Sequence, residues 1–163
     1  MLAPLYEGPS GPELLLTRRA WHLRSHTGEL CFPGGRQEPG DADLLATALR
    51  ETEEEIALAR SEVTHVGFLE PLATVSSPAA ILPHVGLLDG PPVVTPDPSE
   101  VDGVVVVPIA ELLDPSIYRE EIWERDGFEL EVTFFELEGD TLWGATARMI
   151  RSWFDRLVDP PRR

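Results

Sequence analysis

The stretch LRETEEEIAL, residues 49–58, sets four glutamates into five consecutive positions of what reads as a helix from about Asp43 to Arg60. At 100° per residue, Leu45, Leu49, Thr52 and Ile56 fall within roughly 40° of one another and form a core-facing stripe. Glu51 and Glu55, four apart, share one flank of that stripe; Glu54 lies beside them and Glu53 points to the other side. A solvated acidic face is the ordinary meaning of such a run. Here, however, like charges at i,i+3 and i,i+4 each cost roughly 0.2–0.5 kcal/mol, and acids in the last turns oppose the helix dipole. The arrangement calls for compensation. A hard divalent cation, Mg²⁺ or Mn²⁺, supplies it directly through carboxylate oxygens.

The rest of the chain reads as strands and one further helix. Asp41 or Asp43 caps the acidic helix. Leu14–Thr17 forms a short strand, followed by an Arg-rich loop and the turn Phe32-Pro33-Gly34-Gly35. Strand-like runs cover 63–69, 81–88 and 104–109, separated by Pro and Gly clusters. Residues 117–123 and 128–137 flank Asp126-Gly127 as a hairpin with Leu130, Val132 and Phe134 on one face, and a helix spans 143–157. Strands mixed with two helices predict an α/β sandwich, helices on either side of a mixed sheet.

At 163 residues with 42% hydrophobic content, the chain is expected to be a single domain, residues 1–163, with one core. No basic start with an apolar run and no membrane-length apolar window is present, which predicts a soluble, cytoplasmic protein. Cys31 is the only cysteine, so an internal disulfide is excluded. A formal charge of −16 argues against nucleic-acid and anionic-membrane partners, which are held mainly by cations. All 13 cationic residues are arginine, and Arg18, Arg19, Arg24 and Arg36 gather in a window whose one acid is Glu29. Arginine forks suit phosphate bidentately, which makes Arg19 and Arg24 candidates for gripping it. Gly34 and Gly35 would allow close backbone approach to phosphate oxygens.

Two motifs carry a family resemblance. Gly35, Arg50-Glu51, Glu54-Glu55 and Leu58 resemble the Nudix box, G-x5-E-x7-R-E-U-x-E-E-x-G-U with U apolar. Asp41 stands where the first Glu is expected, one extra residue precedes Arg50, Thr52 replaces an apolar residue, and Ala57 replaces the late glycine that usually terminates the helix. Upstream, LLTRRAWHLRSHTGELCFPGG (residues 15–35) resembles the signature of the coenzyme A subgroup of Nudix hydrolases, L-L-T-x-R-[S/A]-x3-R-x3-G-x3-F-P-G-G. Leu15, Leu16, Thr17, Arg19, Ala20, Arg24, Gly28, Phe32, Pro33, Gly34 and Gly35 all agree, and the late Trp143-Gly144-Ala145-Thr146-Ala147 fits the same subgroup.

The resemblance implies a Nudix fold, an α/β/α sandwich around a mixed sheet. It also implies Mg²⁺- or Mn²⁺-dependent hydrolysis of the coenzyme A diphosphate to 3′,5′-ADP and 4′-phosphopantetheine. Glu51 and Glu55 would be the principal metal ligands, Glu54 an added ligand or base, and Arg50 would orient the carboxylates by ion pairing. The rivals are an ADP-ribose or NADH diphosphatase, and a Nudix-fold binding domain without turnover; the upstream signature and the retained glutamates speak against them. Other residues receive ordinary readings: His22 and His26 lie in a loop, His65 and His84 in strands, Glu100 at a loop end on the surface, Trp143 and Phe135 in the core.

Overall fold

The computed structural model describes residues 1–73, 80–125 and 127–158. The chain runs β1 (Leu2–Gly8), β2 (Gly11–Arg19), β3 (Leu30–Cys31), α1 (Leu44–Ile56), then β4 (Thr64–Phe68). The short strands β5 (Leu72–Ala73) and β6 (Ala80–Ile81) follow, then β7 (His84–Leu87), β8 (Val101–Pro108) and the single turn α2 (Ile109–Leu112). The chain continues through β9 (Tyr118–Arg125), β10 (Phe128–Leu137), β11 (Asp140–Trp143) and α3 (Gly144–Val158).

The main sheet is six-stranded and mixed. β1 pairs antiparallel with β2 and parallel with β7, Leu2 beside His84; β7 continues antiparallel to β4. β3 and β8 both pair antiparallel with β2. Successive side chains of a strand point to opposite faces, and β2 uses both. Leu15 joins Tyr6, Leu88 and Val101 against Ile56 and Leu58 at the end of α1. Leu14 and Leu16 join Ala3 and Leu5 in a larger cluster with Phe135, Leu142, Ile150 and Phe154, contributed by the second sheet β9–β10–β11 and by α3. The layers are thus helix, mixed sheet, then sheet and helix, the α/β/α sandwich expected.

Several boundaries differ from the sequence reading. β1 and β11 were not anticipated. The helix α1 stops at Ile56, not near Arg60, because Ala57 takes the left-handed conformation (φ 58°, ψ 23°) and its amide donates to the Glu53 carbonyl at 3.0 Å. Helix termination therefore survives the loss of glycine. The N-cap is Asp43, whose Oδ1 accepts the Ala46 amide at 2.8 Å. The run 81–88 divides at Pro83, since proline lacks the ladder N–H. The hairpin forms with Glu129 opposite Glu124 and Phe134 opposite Arg119, although Asp126 of its turn lies outside the described residues.

Phe135 is buried in the core as expected, but Trp143 is not. Register places Trp143 opposite Phe134, on the face of β10 turned away from α3, where the two rings stack with centroids 6.2 Å apart. Among the described residues no helix is long and apolar enough to cross a membrane.

Candidate active site

The acidic helix is compensated first by arginine. Arg50 places Nε and Nη2 at 3.0 Å from Oδ1 and Oδ2 of Asp41, and also reaches Glu51 at 2.9 Å and Glu54 at 2.8 Å. Asp41, at the position of the expected first glutamate, serves as the anchor for this fork. Hydrogen bonds from Arg50, the Glu38 amide and the Thr47 hydroxyl hold its carboxyl well below the usual range. Glu53, on the far side of the helix, pairs with Arg60 at 3.1 Å.

Glu55 is different. It is only 7% exposed, and among the described residues it makes no ion pair. Its Oε2 accepts the Gly34 amide at 2.9 Å. Burial pushes its carboxyl up to about 7, with the charges of Glu100 and Glu51 adding to the effect and the Gly34 amide and Arg19 opposing it. Glu51 is half-buried one turn earlier; burial raises its pKa also, against the pull of Arg50. Its carboxylate lies over Gly35, where any Cβ would overlap it. The two glycines thus serve the carboxylates directly: Gly34 holds Glu55 by its amide, and Gly35 leaves room for Glu51.

The Arg-rich segment follows β2. β2 ends at Arg19, whose amide donates to the Glu29 carbonyl at 3.0 Å and whose carbonyl accepts the Gly28 amide at 2.9 Å, closing a loop over residues 20–28. Arg19 bonds the Ser25 carbonyl through Nε at 3.2 Å, and its charge reaches Glu55. Arg24 is exposed on the same loop. Arg18, by contrast, is fixed to Asp140 and to the Gly28 carbonyl, a structural role. His22 and His26 do not converge: one bonds the Ser99 carbonyl at 3.2 Å, the other Glu29 at 2.9 Å. Both His65 and His84 lie in strands.

Glu100 is exposed in the turn just before β8, the loop-end position expected. The Ala20 amide donates to its carbonyl at 2.9 Å, which ties the start of β8 to the Arg loop, and the charge of Glu100 raises the pKa of both Glu51 and Glu55. Only its place just before an apolar strand hinted at this; its partners come from the β2–β8 pairing.

Among the described residues no three His, Cys, Asp or Glu side chains are already gathered tightly enough to hold a metal ion. The chemistry of Glu51 and Glu55 nevertheless fits a hard cation. Both are oxygen donors, Gly35 clears space beside one, and the other is a buried carboxyl that has no positive partner at bonding distance among the described residues.

The NUDIX domain pattern matches residues 2–127. The chain belongs to the NUDIX domain family. It is 41% identical over 151 residues to an uncharacterised Nudix hydrolase, NudL, of Yersinia pestis (strain Pestoides F), covering 93% of this chain and 75% of that one. Solved structures agree on the fold. The MutT protein of Methanosarcina mazei Go1 superposes with a TM-score of 0.60 over 97% of this chain and 93% of its own at 20% identity. The NUDIX domain of Shewanella oneidensis NrtR, solved with ADP ribose, gives 0.59 over 96% and 84% at 16% identity. The protein is thus a Nudix hydrolase, an enzyme class that in general uses divalent metal ions.

Proposed function

We propose that this Nudix hydrolase is a cytoplasmic, single-domain (residues 1–163) coenzyme A diphosphatase, yielding 3′,5′-ADP and 4′-phosphopantetheine with Mg²⁺ or Mn²⁺. What supports the reading is the match of residues 15–35 to the coenzyme A subgroup signature, with Arg19 at the end of β2 closing the loop through the Gly28 and Glu29 backbone and its charge acting weakly on Glu55. A negatively charged diphosphate entering a protein of formal charge −16 needs such a cation at the site.

Glu51 and Glu55 are the metal ligands in this reading, with Glu54, which is exposed and bound to Arg50, as the added ligand or base. A divalent cation held there supplies charge neutralisation at the phosphoryl oxygens and acidifies the attacking water. Arg50 fixes the rotamer of Glu51, while the Gly34 amide fixes that of Glu55. Arg19 and Arg24 grip phosphate, and Gly34 and Gly35 form the backbone floor beneath it. Water adds to one phosphorus, the bridging P–O bond breaks, the departing phosphate keeps the bridging oxygen, and the proton of the water passes to a carboxylate.

A competition assay tests the choice of substrate. With coenzyme A and ADP-ribose together at equal concentration and Mn²⁺ present, coenzyme A is consumed first, at a kcat/KM at least roughly tenfold higher. Preferential loss of ADP-ribose would overturn the coenzyme A reading and leave the Nudix hydrolase standing.

A further inference from the structure

One large aromatic side chain on the Arg loop is assigned no role by the chemistry above. Ala20 is buried, its amide bound to Glu100, and a tight turn brings the Leu23 amide to the Ala20 carbonyl at 3.3 Å. Trp21 sits at the corner of that turn and is turned outward, 63% exposed. It does not hang free. The outer edge of its six-membered ring lies against the backbone of Gly28, at the other end of the loop, where any Cβ would overlap the indole and where φ is +72°. His22, next in sequence, pins the same turn to the Ser99 carbonyl. The loop therefore holds an indole in place by one edge and leaves much of the ring open to solvent, two residues from Arg19 and three from Arg24.

A braced ring costs little entropy when a second ring settles on it, and base–aromatic stacking is tolerant of which base is offered. We propose that Trp21 is the platform on which the nucleobase of the substrate stacks while Arg19 and Arg24 hold its phosphates. The inference rests on the reading of this site as a nucleotide diphosphatase, and it identifies the recognised part of the substrate as a planar base joined to phosphate. Trp21 is a substrate contact and takes no part in bond cleavage. Its contribution falls on substrate affinity.

Two readouts test this. Adenosine 3′,5′-bisphosphate added to the wild-type protein quenches tryptophan emission, and Trp21→Phe, which retains three of the four tryptophans, loses most of that quench. In turnover with Mn²⁺, Trp21→Leu raises the KM for coenzyme A roughly tenfold or more with kcat within about twofold, and Trp21→Phe recovers most of the affinity. A coenzyme A analogue with adenine removed and ribose retained shows no difference between wild type and Trp21→Leu. Equal quenching in wild type and Trp21→Phe, or an equal KM penalty on the base-free analogue, overturns the platform. If Trp21→Leu does not fold, the quench in Trp21→Phe decides alone. Absence of any diphosphate hydrolysis by the wild type would reject the proposed activity, while the quench by the bisphosphate would still report on Trp21.

Discussion

Replacing Glu55 with Gln should make the metal-free protein more stable, and increasingly so as pH rises. Burial lifts this carboxyl from an ordinary 4.5 to about 7, and one unit corresponds to about 1.4 kcal/mol. Its folded pKa lies above its unfolded one, so the stability it contributes is fully present below about pH 4.5 and is lost as pH rises through about 7. The raised pKa therefore costs the folded, metal-free protein about 3 kcal/mol at pH 8, where Glu55 is mostly ionised, and about 1.4 kcal/mol at pH 5.5, where folding requires it to take up a proton. Gln keeps the shape and an oxygen that can accept the Gly34 amide, but it has no charge to desolvate. Urea unfolding in EDTA should show the variant's advantage over wild type growing by about 2 kcal/mol between pH 5.5 and pH 8. Saturating Mn²⁺ at pH 8 should shrink or reverse it, because the cation stabilises wild type by mass action. An advantage that is constant across this pH range would refute the argument that Glu55 is a destabilising charge held for function.

The same site gives four further expectations. Glu51→Gln and Glu55→Gln should each lower kcat by about a hundredfold or more, with circular dichroism unchanged; near-normal turnover with Mg²⁺ rejects the residue as a ligand. Gly35→Ala should displace the Glu51 carboxylate and lower kcat by roughly tenfold or more, with less effect in a Glu51→Gln background since the two changes act on one interaction. Arg19→Ala and Arg24→Ala should each cost about 1.5–3 kcal/mol in kcat/KM for coenzyme A, with Lys recovering only part; dephospho-coenzyme A separates an arginine on the 3′-phosphate from one on the diphosphate. Ala57→Gly should raise stability by about 1 kcal/mol, read as a higher Tm, because glycine adopts the left-handed helix end without the Cβ penalty.

What the sequence disclosed was what local physics controls. The Asp43 cap and the hairpin around Gly127 are each set by neighbours within a few positions, and α1, β9 and β10 follow from them; of the expected stripe Thr52 and Ile56 are buried while Leu45 and Leu49 are only half-buried, Thr47, Ala48 and Glu55 completing the inner face. β1 is different: its Pro4, Glu7 and Gly8 weaken any local strand signal, and it is a strand because β2 and β7 pair with it. The early end of α1 belongs to the same class. Ala57 accepts a disfavoured backbone so that Leu58 can turn in and bury beside Tyr6 and Leu88. Trp143 looked like core by residue type. Its side is set by the β10–β11 register, which turns Phe135 and Leu142 toward the main core and Phe134 and Trp143 to the opposite face, where Phe134 is buried under Trp123, Trp143 and Arg119. At the site, the pairing of Glu51 with Glu55 could be read from helix geometry. The task of Gly35 could not, and becomes visible only when the Glu51 carboxylate is seen above it.

In the proposed reaction the two carboxylates of α1 and the Arg loop together act on the diphosphate of coenzyme A. Mass-spectrometric identification of the products formed from coenzyme A by the purified protein with Mn²⁺ tests it most directly. The expected products are 3′,5′-ADP and 4′-phosphopantetheine in equal amounts, with none formed in EDTA. Coenzyme A left intact by protein that converts ADP-ribose to AMP and ribose 5-phosphate under the same conditions would contradict it.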